Sequence, residues 1–448
     1  MVEQLDIPPG ADQRAKVRST LADDDRSARA LDGIRVLDIS GEFAAYASRL
    51  LGDLGADVVR IEPPAGADTR HIEPIVINGN ADVPEPDIGG DEHHGAEVSA
   101  FDRFVNAGKR SVSLDIGTAD GRALLVRLIQ TADIVVETWS GADAERLHLT
   151  PPDVAALNPR LVHVSVTPYG RDRARDSVDD DDLTVMAAGG LLNLGGYSDS
   201  QPLVAYGGQS RIAASLFAAV GALVALLDRE STGRGRWVDV SAQECVAQAL
   251  EDSVASYEMT GRVRKRLGSD AAEAGTGIYP CADGLVSMVA GRVGTAKAWG
   301  ALVAWLIEER VAYASVLADP PWSELGFRQT RVAIDRFSSI FSGFTKTRTR
   351  LELYREAQSR GIALAPVNDV AGVLADPQLE ARGFWVTVRD PELDRQVIFP
   401  GPPYRLSATP AVEARPAPSL GADTAAVLGT ELGLGAPQLE QLRDAGVS

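Results

Sequence analysis

The sequence predicts an α/β fold in two parts, a larger one built on a parallel sheet and a smaller α+β one. Two rounds of strand, helix and strand predict the first part, and a hairpin with helices beyond residue 276 predicts the second. In the first round Ile34–Ile39 alternates as a strand does, and Phe43–Leu54 carries helical spacing. Gly55 stops that helix, and Asp57–Ile61 reads as the next strand. A helix crossing between two such strands sets them parallel, with both faces of the sheet covered. The second round reads Arg110–Asp115 as strand, Asp120–Gln130 as helix and Asp133–Glu137 as strand, and Leu161–Val166 adds one more. A long helix is expected over Ser210–Arg229, turning at Ser231–Arg236 into the strand Trp237–Val240.

Residues 1–30 are charged and aperiodic and read as an arm, so the large domain begins at residue 31 and its first part runs to 250. The acidic, Pro/Gly-rich stretch 79–100 reads as a surface loop. Composition shifts over 251–275, which reads as a linker. The smaller domain is placed at 276–375. There Gly277–Val289 is a hairpin turned at Ala282-Asp283-Gly284, with helices near 296–309 and 349–360. A chain of 448 residues is too long for one ordinary core, which agrees with two domains.

With 45% apolar and 24% charged residues, the chain has the balance of a soluble globular protein. No run of eighteen apolar residues and no apolar N-terminal segment stand out, so neither a membrane span nor an export signal is expected. Two distant cysteines, Cys245 and Cys281, exclude a disulfide framework, and a reducing cytoplasm fits best. The formal charge of −19 argues against a nucleic-acid partner. None of the five histidines has metal-ligand spacing, and His93-His94 reads as solvated loop, so no metal is expected. No GxGxxG follows the first strand, which speaks against a dinucleotide cofactor.

Eight stretches in order carry a family resemblance: Leu31–Asp38, Gly52–Pro63, Asn106–Asp115, Asn158–Leu161, Thr232–Gly235, Ala365–Asn368, Gly401–Ser407 and Leu420–Thr424. On them the chain is similar to the class III coenzyme A-transferases, the family of formyl-CoA transferase and carnitine CoA-transferase, from about residue 31 to the C-terminus. The resemblance implies a Rossmann-like large domain made from both ends of the chain, so that 376–448 returns to it. It also implies a small middle domain and an interlocked dimer. Coenzyme A or an acyl-CoA would be the substrate, with a carboxylic acid as the other reactant and no permanently bound cofactor. By position the resemblance places Arg60, Arg70, Lys109, Leu114, Thr138 and Arg146 around the CoA; Thr138 stands where asparagine is usual.

The family's chemistry needs a carboxylate that takes the acyl group as a mixed anhydride and then carries CoA as a thioester. In the family an aspartate holds this place, in a pattern like I-G-D-x-x-x-G-L-F-A-A-x-G. Here the stretch runs Gln209–Gly221 with its Leu-Phe-Ala-Ala block in register, and Arg211 stands at the nucleophile's position. A guanidinium stays protonated and accepts no acyl group at neutral pH. Glu42 stands where formyl-CoA transferase has glutamine, and Ala44-Ala45 replace a Gly-Pro. The fold's racemase branch uses a His-Asp pair, replaced here within Asp180-Asp181-Asp182. Asp182 and Glu42 are the remaining catalytic candidates, although one of Asp179–Asp182 is expected first to cap the following helix.

The leading expectation is a subunit that lacks the nucleophile and is completed by a catalytic homologue, an arrangement that resembles benzylsuccinate CoA-transferase. The alternatives are a stand-alone CoA-thioester isomerase, dehydratase or lyase, a non-catalytic CoA-binding protein, and a homodimer with a relocated nucleophile.

Overall fold

The computed structural model describes residues 29–77, 97–171, 181–266, 268, 271–291, 296–412 and 414–448. The chain forms two compact units. One takes the chain up to Leu191 together with Ala205–Asp252 and Glu380–Ser448; the other takes Leu192–Val204 and Ser253–Leu379.

The first unit is built on six parallel strands: β1 (Arg35–Ile39), β2 (Asp57–Glu62), β5 (Arg110–Ser113), β6 (Ile134–Glu137), β7 (Val162–Thr167) and β8 (Trp237–Ser241). Their order is β5-β2-β1-β6-β7-β8. Leu37 lies level with Val59 on one side and Val135 on the other. These residues join Leu124, Leu125 and Leu128 of the helix Ala119–Thr131 in a buried core. The expected α/β class is observed, with strand bounds moved by a residue or two. Between β2 and β5 lies a small antiparallel pair, β3 (Ile75–Ile77) with β4 (Glu97–Ser99). The expected loop 79–100 therefore ends in a strand, while residues 78–96, with His93-His94, lie outside the described residues.

From β1 the chain winds outward through β2 to β5, then returns to the other side of β1 for β6, β7 and β8. In open parallel sheets the crevice at such a reversal, beyond the carboxyl ends of the two central strands, is where ligands bind. Here it lies between the ends of β1 and β6.

The helix Gln209–Thr232 packs over this sheet between two left-handed glycines, Gly208 and Gly233. Its inward residues are small: Ala214, Ala218, Ala222 and Ala225 are buried. Small side chains let the helix axis approach the strands closely, and a Cβ on Gly221 would sit 2.8 Å from Val238 of β8. By length and hydropathy this helix would pass for a membrane span, a test that core helices also meet, and 44% of its apolar window is buried. Its opposite face carries Ile212, Leu216, Phe217, Val220, Val224 and Leu227, all exposed in the single chain.

The C-terminal return supplies β12 (Trp385–Asp390) and β13 (Arg395–Pro400), an antiparallel hairpin. Arg103 ties this return to the N-terminal part through Asp390 Oδ2 at 2.7 Å and the Ala417 carbonyl at 2.8 Å, all buried. Past residue 419 the chain runs along β5. Ser111 N–H donates to Asp423 Oδ2 at 2.9 Å, Ser113 N–H to Thr424 Oγ1 at 3.0 Å, and Asp115 N–H to the Val447 carbonyl at 2.7 Å.

In the second unit β9 (Thr276–Cys281) and β10 (Gly284–Val289) form the expected hairpin, and β11 (Ala363–Pro366) adds to β10. The helices Ala296–Glu308, Arg331–Thr345 and Arg350–Ser359 cover this sheet around an aromatic core of Trp299, Trp305, Phe337, Phe341 and Phe344. The stretch expected as a linker, 251–275, is not simply extended, since Glu251–Thr260 is a helix. Leu192–Val204 joins this unit because Arg266 donates to the carbonyls of Asn193, Tyr197 and Ser200 at 3.0–3.1 Å.

Candidate functional site

At the reversal point the chain leaves β1 through Ser40, Gly41 and Glu42. Gly41 N–H donates to Thr138 Oγ1 at 2.8 Å, which closes the crevice between the ends of β1 and β6. Glu42 then meets Arg211, in the first turn of the helix Gln209–Thr232, with Oε2 at 2.7 Å from a terminal guanidinium nitrogen. Both side chains keep partial access to water, 27% and 20%. Gly208 makes room for this contact. Its φ of +65° is left-handed, and a Cβ there would press on the Arg211 side chain at 3.2 Å.

The acidic run resolves into separate roles. Asp181 caps the helix Asp182–Ala188 by accepting from Thr184 N–H at 2.9 Å. Asp182 reaches across to the start of the long helix, and its Oδ1 accepts from Ser210 N–H at 2.8 Å and Ser210 Oγ–H at 2.6 Å. Asp179 and Asp180 lie outside the described residues. Burial pushes the Glu42 carboxyl above its ordinary value; Arg211 pulls it down, and Asp181, Asp182 and Asp68 push it up again. Among the described residues Arg211 is thus the one cation acting on Glu42, against three carboxylates. Its Nε is buried and has no hydrogen-bond partner among the described residues.

Ala44 and Ala45 are fully covered, and Ser215 Oγ–H, one turn after Arg211, donates to the Phe43 carbonyl at 3.0 Å.

The residues expected around CoA fall into two groups. Arg60 is buried, with its guanidinium on Asp102 Oδ1 at 3.0 Å and Thr69 Oγ1 at 2.5 Å and Glu62 at 3.4 Å. Lys109 is buried too. Its Nζ donates to Asp38 Oδ2 at 2.6 Å, the Ala45 carbonyl at 2.7 Å, Asn106 Oδ1 at 2.7 Å and Ser48 Oγ at 3.1 Å. An ammonium has three donors, so this head group is saturated. Burial lowers the Lys109 pKa and Asp38 opposes that. Leu114 is buried in the core. Arg70 forks onto Glu62 at 2.7 and 2.8 Å. Burial would raise Glu62, but Arg70, Arg60 and Ser111 together hold it below its ordinary value.

Thr138 is half-buried in the crevice itself. Arg146 is exposed, on the helix Gly141–Leu147 that follows β6, and among the described residues pairs with Asp143 one turn away at 3.0 Å. Sequence reasoning singled out Glu42 and Arg211 separately and missed that they meet. It also missed Asp38 and Asp102, whose one legible sign was a carboxylate inside an apolar strand or helix.

Among the described residues no cluster of His, Cys, Asp and Glu has the makings of a metal site.

The sequence pattern of CoA-transferase family III matches residues 31–424. The chain is 32% identical to the subunit BbsE of succinyl-CoA:(R)-benzylsuccinate CoA-transferase from Thauera aromatica, across 91% of this chain and 95% of that one. It is 29% identical to the alpha subunit of succinyl-CoA–L-malate CoA-transferase from Chloroflexus aurantiacus, across 92% of this chain and 91% of that one. Among solved structures, a CAIB/BAIF family protein from Brucella suis superposes with a TM-score of 0.76 at 26% identity, over 91% of this chain and all of the other. The chain belongs to CoA-transferase family III.

Proposed function

We propose that this chain is the non-nucleophilic subunit of a two-chain CoA-transferase, completed by a homologous chain that carries the acyl-accepting aspartate. What supports the reading is Arg211, a guanidinium ion-paired to Glu42 where the sequence resemblance would put the family's nucleophile. The nearby carboxylates do not offer an easy replacement. Asp182 is engaged by Ser210 and Asp181 is a helix cap. Likeness to the BbsE subunit and to an alpha subunit supports a two-chain assembly.

The test is intact-protein mass spectrometry after incubation with succinyl-CoA, followed by borohydride or hydroxylamine. The purified chain alone is expected to form no covalent adduct; mixed with a homologue bearing aspartate at this position, the adduct is expected on the homologue. An adduct mapped to Glu42 or Asp182 of this chain would replace the reading with a relocated nucleophile.

The surface for the second chain, in this reading, includes the outer face of the helix Gln209–Thr232. Ile212, Leu216, Val220, Val224 and Leu227 recur every three or four residues, so they form one apolar stripe along it. Monomers rarely leave so continuous a patch to water. The double variant Val220→Glu, Val224→Glu is expected to remain folded and to lose association, read by light scattering. An unchanged oligomeric mass would remove this face from the interface.

A further inference from the structure

The pairing of Arg211 with Glu42 has a use beyond the loss of a nucleophile. We propose that Arg211 is a receptor for the carboxylate of a small organic acid, with Glu42 occupying it as an internal stand-in when the acid is absent. The proposal goes beyond the subunit reading, since it concerns reversible binding to this chain and does not depend on which chain is acylated.

Four observations carry it. First, the guanidinium is half used: Glu42 takes a terminal nitrogen at 2.7 Å, while Nε is buried with no partner among the described residues. A carboxylate satisfies an arginine best by spanning two N–H groups, and Glu42 holds one. An incoming acid that displaces Glu42 can span two N–H groups of the guanidinium. Second, the pair lies at the reversal point of the parallel sheet, beside Gly41 and Thr138, where such folds bind ligands. Third, both side chains retain access to water, so the contact is open to exchange.

Fourth, the displaced Glu42 has a low-cost alternative. Among the described residues the charged groups acting on it are Arg211 from the long helix, Asp181 and Asp182 from the start of the helix after the acidic run, and Asp68 from the short turn Asp68–His71. Without Arg211 it would be half-buried among three carboxylates, where the neutral form is favoured. Burial already holds its carboxyl above the ordinary range. Glu42 therefore takes up a proton as the acid binds, which offsets the charge of one incoming carboxylate. Between the Glu42 pKa in the free chain and the higher one in the complex, binding should weaken as pH rises, by up to about tenfold per pH unit for one proton taken up.

Calorimetric titration of the full chain with succinate tests the proposal, run at two pH values and in buffers of different protonation enthalpy. Wild type is expected to bind with uptake of close to one proton, more tightly at the lower pH. Glu42→Gln, which removes the competing charge, is expected to bind more tightly and without proton uptake. Arg211→Gln is expected to lose binding, and Arg211→Lys to keep a weaker form of it. Circular dichroism confirms that each variant is folded. Equal binding by Arg211→Gln and wild type would overturn the proposal. So would absence of binding by every form, or binding by Glu42→Gln alone, which would make the pair a closed internal tie. None of these results bears on where an acyl adduct forms, so the subunit reading stands or falls separately.

Discussion

Lys109→Met is expected to destabilise the large unit by about 3–5 kcal/mol, the usual cost of leaving one member of a buried ion pair without the other. Asp38 is as buried as Lys109, and after the change only Ser40 would still donate to it among the contacts seen here. Ser48, Asn106 and the Ala45 carbonyl would each lose a donor as well. Urea unfolding reads the effect directly as a lowered midpoint. An unchanged midpoint would show that this junction of β1, the helix Ala45–Asp53 and the turn before β5 does not need its cation.

The same burial governs how CoA binding should be probed. Loss of affinity in Lys109 or Arg60 variants would be mixed with loss of folding. Arg146, exposed and paired with Asp143 of its own helix, separates the two. Arg146→Ala is expected to keep the wild-type unfolding midpoint while weakening CoA binding in calorimetry. Unchanged affinity would take Arg146 out of the nucleotide site.

Gly235→Ala is the second substitution expected to act strongly. A Cβ there would lie 1.8 Å from the Leu161 carbonyl oxygen and 2.3 Å from its carbon, so backbone would have to move. The close approach is held by Gly235 N–H donating to the Pro159 carbonyl at 2.9 Å, beside Arg160 donating to the Gly233 carbonyl at 3.1 Å. Two of the motifs that marked the family, Asn158–Leu161 and Thr232–Gly235, are thus the two sides of one contact. That contact brings β8 alongside β7, with His163 N–H donating to the Arg236 carbonyl at 2.9 Å. Overpacking of this kind costs about 1–3 kcal/mol, and a clash with backbone belongs at the upper end. A thermal unfolding temperature equal to wild type would show that the junction yields without cost.

Much of the large unit was legible because its signals are local. Alternation in Ile34–Ile39, the helical spacing before Gly55 and the repeat of that unit near residue 110 place strands next to helices, and the right-handed crossover rule makes them parallel. What was not legible depends on residues far apart in sequence. An arginine in a strand reads as a surface or ligand cation. Only the meeting of Arg60 with Asp102 and Thr69 makes it internal. Glu42 and Arg211 are separated by most of the large unit's first part, and nothing in either neighbourhood announces that the two charges meet. Leu192–Val204 was likewise assigned by sequence to the large domain, because its membership rests on Arg266, more than sixty residues later.

The closure of β5 by the last thirty residues has a consequence for synthesis. This strand lies at the edge of the sheet, and the groups satisfying Ser111, Ser113 and Asp115 come from Asp423, Thr424 and Val447. While the ribosome is still making the C-terminus, that edge has its donors and acceptors bare, and a bare edge recruits other strands. The edge strand thus waits for partners made about three hundred residues later. A chain arrested before Asp423 would carry an open edge, a natural target for chaperones and proteases.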